Sequence, residues 1–357
     1  MKIAIHNPMF SGISGINGWI WEFIKLYRPV IYISHPRYFP RLAYFFNKFR
    51  LNIFNYRFIF SEKQLKSRAD VLLCVNGRPY LKYNKPVKTF RGLKIYHLMD
   101  YACFPTISNK IIEDAGVDFV FGYARHDKYC DFFQKKYPHY QNKVIPVPFG
   151  FASRFQEITP FKERKNKAIA LGSVRVVVDS IHANALEESS KFFLKRGEKF
   201  MHKFRHMLVE NETQLLDIMD SKLPHFPKVA DFDYDIVQIF NQYKMFVSCE
   251  SLLYFPSVKT FEGPACGSVL VCSEHPCFSD YGFEDGVNCI KHKEFDLNDF
   301  RDKVSFYLNN FDKLEEIQKR GTQFVRDNYN HQKIAQYVYS KISRIYENKM
   351  SSIADQK

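Results

Sequence analysis

The strongest constraint on the fold is an alternation that runs through half the chain and then begins again. KIAIHNP, VIYISHP, ADVLLCVNG, LKIYHLMD, VDFVFGYA and KVIPVPFG are short apolar runs of strand length, separated by segments with helical periodicity. WIWEFIKLYR is one such helix. In the next, Leu42, Phe45, Phe46 and Phe49 follow the i, i+3, i+4, i+7 spacing of a single apolar face. Strands that are apolar along their whole length need cover on both sides, and helices between them supply it. An α/β fold built on parallel sheet is therefore expected.

After the polar, basic stretch QEITPFKERKNK the pattern restarts with KAIALGSVR. A long charged stretch then reads as helical to about Asp220, MFVSCE and SVLVCSE read as strands, and the final section reads as helices. There is no short fixed period, so a repeat array is excluded. The expected organisation is a first βα domain over 1–155, a linker over 156–167 and a second βα domain over 168–328. A C-terminal helix and tail follow over 329–357.

The chain of 357 residues is 46 % hydrophobic, enough for two cores. No apolar run approaches the roughly 18 residues of a membrane span. The apolar part of MKIAIHNPMF is too short for a secretory signal, so a cytoplasmic protein is expected. The eight cysteines include no C-x-x-C pair, and Cys266, Cys272, Cys277 and Cys289 lack zinc-site spacing. They read as buried thiols, and no metal or cofactor is expected. The net charge of +14 fits a nucleic acid, an anionic lipid surface or a phosphorylated ligand. No nucleic-acid-binding motif occurs and the basic residues are spread along the chain. That favours a phosphorylated ligand or a membrane surface.

Gly12, Gly15 and Gly18 follow the first strand in G-x-x-G-x-x-G spacing, not G-x-G-x-x-G. His35 and Pro36 close the second strand where a dinucleotide site would carry an acid. Gly12 and Gly15 read instead as a loop facing a cleft.

In SVKTFEGPACGSVLV, 257–271, Ser257 is a candidate N-cap, a helix is expected from Val258 to Gly267, and Gly267 is its left-handed terminator. The free N–H groups and positive dipole end at its start favour an anion, and Lys259 adds a full charge. Glu262 lies one turn on, on the same face, able to accept two hydroxyl hydrogen bonds. Alone, Lys259 and Glu262 are equally a surface i, i+3 ion pair.

FPSVKTFEGPACGSVLVCSE resembles the donor-binding helix of GT-B glycosyltransferases, a Glu followed by small residues, A-C-G and a hydrophobic strand. FEDGVNCI, 283–290, is similar to the acidic-D-G-x-N-G turn of the same group, with Cys289 where Gly is usual. KVIPVPFGFASRF resembles the strand that closes their first domain, and IQKRGTQFVRDNYNHQKIAQYV their last helices. These motifs keep their order across roughly 143–350, while the N-terminal half agrees in pattern only.

The resemblance implies two Rossmann-like domains facing a cleft, with a C-terminal helix crossing back to the first. It implies a metal-independent transferase that uses a nucleotide-sugar donor. By position Glu262 matches the glutamate that holds the donor ribose, and Lys259 lies where a basic residue reaches the diphosphate. Gly172 and Ser173 open the loop that contacts phosphate through its backbone, and Arg175 adds charge. Many retaining members carry a second glutamate eight residues earlier. Tyr254 stands there, and Glu250 is four residues too early. The sugar-recognition part of that motif is thus not carried over, which brings the chain closer to the spore-maturation-like branch.

An inverting transfer would need a base for the acceptor hydroxyl. His97 and Asp100 follow a strand, at the end where parallel sheets bind ligands. Equally, His97 reads as a packed histidine and Asp100 as a helix cap. The expected acceptor is a surface glycan or glycolipid, as in polysaccharide or lipopolysaccharide biosynthesis. The alternative is a catalytically degenerate, basic glycan- or nucleic-acid-binding module on the same fold. Finally, RYFPRLAYFFNKFRLNIFNYRFIF, 37–60, interleaves basic and aromatic residues. Its apolar stripe either covers the first sheet or lies on a membrane. With the stripe assigned to the sheet, weak, salt-sensitive attraction of its basic residues to an anionic leaflet is expected.

Overall fold

The computed structural model describes residues 1–10, 18–75, 85–98, 109–177, 187–226 and 235–354. Gly12, Gly15 and Asp100 lie outside the described residues. The chain divides into two compact units, Met1–Val147 with His331–Lys357, and Pro148–Asn330.

The first unit is built on seven strands: β1 (Ile3–His6), β2 (Val30–Tyr32), β3 (Phe58–Ile59), β4 (Val71–Cys74), β5 (Leu93–His97), β6 (Phe119–Gly122) and β7 (Val144–Pro146). They pair in the order β3-β2-β1-β4-β5-β6-β7, all in parallel. β1, β4 and β5 are buried at every residue, as their unbroken apolar character requires. Helix α1 (Gly18–Tyr27) buries Trp19, Ile20, Phe23 and Ile24 against this sheet. Helix α2 (Phe39–Lys48) buries Leu42, Phe45 and Phe46 in the same core. Trp21 stacks between α2 and its exit, 5.3 Å from the Phe45 ring and 4.7 Å from the Phe49 ring. The amphipathic stripe is thus consumed by the protein core.

The helix His331–Ala354 belongs to this first unit although it is last in sequence. Ile334, Ala335, Val338 and Ile342 enter the core beside α1, and Tyr339 stacks on Tyr27 at 3.9 Å. Gly18 begins α1 where a Cβ would stand 2.2 Å from the His331 ring, so the glycine permits this close approach.

The second unit carries β8 (Lys165–Leu171), β9 (Met219–Lys222), β10 (Tyr243–Val247), β11 (Val269–Ser273) and β12 (Ile290–His292). Their order is β12-β11-β10-β8-β9, again parallel throughout. Residues 156–164, expected as a linker, are knitted into this unit. Arg164 is buried and donates to the carbonyls of Thr159 and Cys266, while the Asn241 side chain accepts from Ile158 N and Thr159 N. The stretch expected to be helical to Asp220 instead closes with strand β9. An edge strand pairs on one side only, so MDSK needs no apolar run and gives no periodic signal.

Before β9 lies helix α3 (Lys203–Glu210), and after β10 helix α4 (Lys259–Ala265). Helix α4 is shorter than expected at both ends. Val258, not Ser257, is the N-cap, and it offers no side-chain hydrogen bond. The Ser257 hydroxyl is engaged with Ser248 at 3.2 Å, which removes it from the helix start. At the other end Gly267 takes φ +78°. Its N–H donates to Pro264 O and that of Ser268 to Gly263 O, the two bonds of a Schellman motif. In the 283–290 turn Gly286 takes φ +69°, the Asn288 side chain donates to Gly282 O, and Asp285 accepts from Lys291 N.

Gly263 faces β10 where an added Cβ would stand 2.2 Å from the buried Phe246 ring. Gly263→Ala is expected to destabilise the protein by about 1–3 kcal/mol, the usual cost of overpacking a core. Thermal unfolding checks this, and an unchanged midpoint would show that Phe246 yields freely.

Candidate functional site

The site is built at the ends of β8 and β10, the carboxyl edge of the second sheet. Leaving β8, the chain passes through Gly172 at φ +132°, a conformation that side chains oppose. Space is equally restrictive: a Cβ there would lie 2.8 Å from the guanidinium carbon of Arg205. Arg205 projects from α3 and is only 6 % exposed. Its Nη1 donates to Ser173 O at 2.7 Å, fixing the turn. Arg175, two residues on, donates from Nε to the Ser173 hydroxyl at 3.3 Å and lays its guanidinium 4.3 Å over the Phe226 ring.

Backbone hydrogen bonds tie three loops together here. Met201 N donates to Arg175 O, and Leu252 N to Met201 O. The His202 ring shares a bond of 3.3 Å with Glu250 O. Burial first, then the fields of Arg205, Lys259 and Arg175, hold that imidazole neutral, well below its ordinary pKa.

Lys259 opens α4 and lies in the same field. Burial, reinforced by Arg205, pushes its ammonium down to about 8, against the opposing pull of Glu262 and Cys249. Burial raises Glu262 to about 7 despite Lys259 and Arg154 nearby. Arg175, Arg205 and Lys259 therefore share one electropositive recess, and the carboxylate beside Lys259 is only part-ionised at neutral pH. Such a grouping of cations favours a multiply charged anion. Behind the helix start, Ser248 bonds to Thr260 at 2.8 Å as well as to Ser257.

The structure thus brings Gly172, Ser173, Arg175, Lys259 and Glu262 into one unit and one electrostatic neighbourhood, with Ser257 beside it. Sequence reasoning missed Arg205 and His202. Both sit in MHKFRHMLVE, which reads as a solvated charged stretch; a strand-ending glycine that must admit another group was the available signal.

Two further residues flank the recess. Tyr254 holds φ +51°, unusual for a ring-bearing residue, and lies parallel to His275 at 4.6 Å. Glu250 is 5 % exposed, accepts from the Ser273 hydroxyl at 2.9 Å, and is raised to about 7 by burial. His97 lies in the first unit, at the end of β5 and 1 % exposed. Trp19, Phe121 and Tyr123 surround it edge-on. Burial lowers it to about 4 despite a hydrogen bond to the Val75 backbone. Among the described residues no group of three His, Cys, Asp or Glu converges as a metal site.

Residues 225–340 match the family model described as glycosyl transferase-like. That match spans about a third of the chain. The matched segment contains Ser257, Lys259 and Glu262, and the remaining donor-side residues lie in the same compact unit. Comparison with curated protein sequences gives no match. Among solved structures, Anabaena HepE in complex with UDP aligns over 96 % of this chain and 100 % of its own, at 11 % identity and TM-score 0.53. A glycosyltransferase from Rickettsia africae aligns over 97 % and 98 %, at 12 % identity and TM-score 0.56. Sucrose-phosphate synthase from Thermosynechococcus elongatus aligns over 99 % and 100 %, at 10 % identity and TM-score 0.50. At such identities what is shared is the fold, and the chain has the GT-B architecture.

The depressed Lys259 makes anion binding pH-dependent with a definite sign. Below about 8 the free protein already carries the charged ammonium. A bound anion raises that pKa, so affinity is full below 8 and weakens as pH rises through it. Phosphate groups, with a second pKa of about 6, are ionised throughout this range. Calorimetric titration with a nucleoside diphosphate from neutral to alkaline pH is expected to show a loss approaching tenfold per pH unit above about 8. Lys259→Ala should abolish that slope. A slope that survives the substitution would place the titrating group elsewhere.

Proposed function

We propose that the protein is a glycosyltransferase that moves a sugar from a nucleotide-sugar donor to a surface glycan or glycolipid acceptor. The supporting observation is that Arg175 and Arg205 both bond to Ser173 at the Gly172 turn, with Lys259 in the field of Arg205, in the same unit as the segment that matches the glycosyl transferase-like model. As the bond from sugar to diphosphate breaks, negative charge grows on the departing diphosphate. Fixed cations and backbone N–H groups stabilise it without reorganising. In this reading the three side chains and the turn supply that stabilisation, with no metal required of the protein. HepE was solved with UDP, and a uridine diphosphate donor is the first to test here.

Glu262 is assigned to the ribose hydroxyls, a role in which the bound donor's hydroxyls favour its ionised form. The base for the acceptor is assigned to the end of β5. An imidazole with a pKa of about 4 is a weak base, so Asp100 is preferred over His97, which is assigned a supporting place. The acceptor is placed at an anionic membrane surface, as the basic, aromatic segment 37–60 suggests.

A thermal-shift screen of nucleotide-sugars identifies the donor, because a ligand that binds only the native state stabilises it. Release of nucleoside diphosphate in the presence of an acceptor then distinguishes transfer from mere binding. Glu262→Ala is expected to weaken donor affinity about tenfold or more, the worth of hydrogen bonds to a charged group. Unchanged affinity in a folded variant would return Glu262 to a surface pair. Asp100→Asn is expected to lower turnover by about a hundredfold or more while leaving donor affinity intact. Wild-type turnover in this variant and in His97→Gln would remove the base from this strand end.

A further inference from the structure

We propose that the outer face of α2, together with the short turn that follows it, is a docking surface for an anionic membrane in which Phe54 is the inserting side chain. This deepens the membrane clause of the proposed function, and its test reads binding rather than transfer, so the two can fail separately.

The segment 37–60 holds five basic residues and no acidic one. Arg37, Arg41, Lys48, Arg50 and Arg57 are its basic residues, and Arg41, Lys48, Arg50 and Arg57 form no ion pair with a described acidic residue. Arg41, Tyr44 and Lys48 recur at helical spacing on the side of α2 opposite its buried stripe. Tyr44 is 60 % exposed, and Phe60 lies exposed just after β3.

Phe54 is the exceptional residue. It is 92 % exposed, on a one-turn 3-10 helix, Ile53–Asn55, between Arg50 and Arg57. The turn is held in place on both sides. Asn52 Oδ1 accepts from Phe54 N at 3.1 Å, Tyr56 N donates to Ile53 O at 3.2 Å, and the Tyr56 ring packs edge-on against buried Phe46 at 4.9 Å. The ring is therefore carried outward on a fixed support. With Leu42, Phe45 and Phe46 committed to the core, helix insertion is excluded, and the apolar part of any membrane contact falls to Phe54, Tyr44 and Phe60, of which Phe54 is the most exposed.

Charge decides the occupant. A second copy of this chain meeting the same face would oppose like charges across a two-fold axis. An anionic lipid surface satisfies the basic rim and the apolar ring together. The lysine and arginine side chains meet headgroups while the ring enters the acyl boundary.

Wild-type protein is expected to co-sediment with phosphatidylserine-containing vesicles at low salt and to remain in solution with pure phosphatidylcholine. Phe54→Ala should weaken vesicle binding about tenfold, and Arg50→Gln or Arg57→Gln about fivefold each. The wild-type tryptophans, Trp19 and Trp21, are buried. Phe54→Trp should therefore add an emission that shifts to the blue on vesicles and is quenched by brominated acyl chains. Equal sedimentation on both vesicle types would overturn the proposal. So would full binding by Phe54→Ala, or an added emission in Phe54→Trp that vesicles leave unmoved, which would leave electrostatic adhesion without insertion. Retention on a single-stranded oligonucleotide with vesicles left unbound would assign the face to nucleic acid and also overturn it.

Discussion

The hydrogen bond from Arg205 to Ser173 O holds the candidate site together. A buried guanidinium is tolerated only where its donors are satisfied and its charge answered. Arg205 donates to the carbonyl of a turn that only glycine can shape. Lys259 and Arg175 add positive charge to the same neighbourhood, while buried His202 stays neutral. Cations gathered at the end of a parallel sheet favour an anion there. Burial, reinforced by Arg205, depresses Lys259, so its protonation would be linked to any anion held beside it. Gly172 makes the whole arrangement possible, since any side chain there would evict the guanidinium.

Most of the fold was legible because apolar runs of strand length announce buried parallel strands without help from neighbours. β1, β2, β4, β5, β10 and β11 are all of this kind. β9 was not, because an edge strand pairs on one side and needs no apolar run. The stripe through Leu42, Phe45 and Phe46 was legible as apolar. Its partner was not, since a helix face reads alike whether it meets a sheet or a lipid, and only packing against Trp21 decides.

Candidate site residues could be named where residue type and position in a motif coincide, as at Lys259, Glu262 and Gly172. Arg205 escaped because burial of a charged residue depends on what approaches it from elsewhere in the chain, here a turn 32 residues earlier. Ser257 misled for a related reason. Its type and place suit an N-cap, but a hydroxyl has several possible partners, and Ser248 claims it. Local propensity ranks the options; tertiary contacts choose among them.

The helix His331–Ala354 imposes an order on assembly. Four of its side chains complete a core whose other members lie no later than Val147, so the unit begun first in synthesis is finished last. The intervening unit, Pro148–Asn330, has its full complement of strands and can close as soon as it is made. Until the final helix arrives, the apolar groove beside α1 stands open to water and to other chains. Contacts between α1 and a helix at the far end of the chain also make closure slow relative to local structure. Between synthesis of Val147 and of His331 the core of the first unit therefore lacks its last four side chains, a seam that a chaperone could cover.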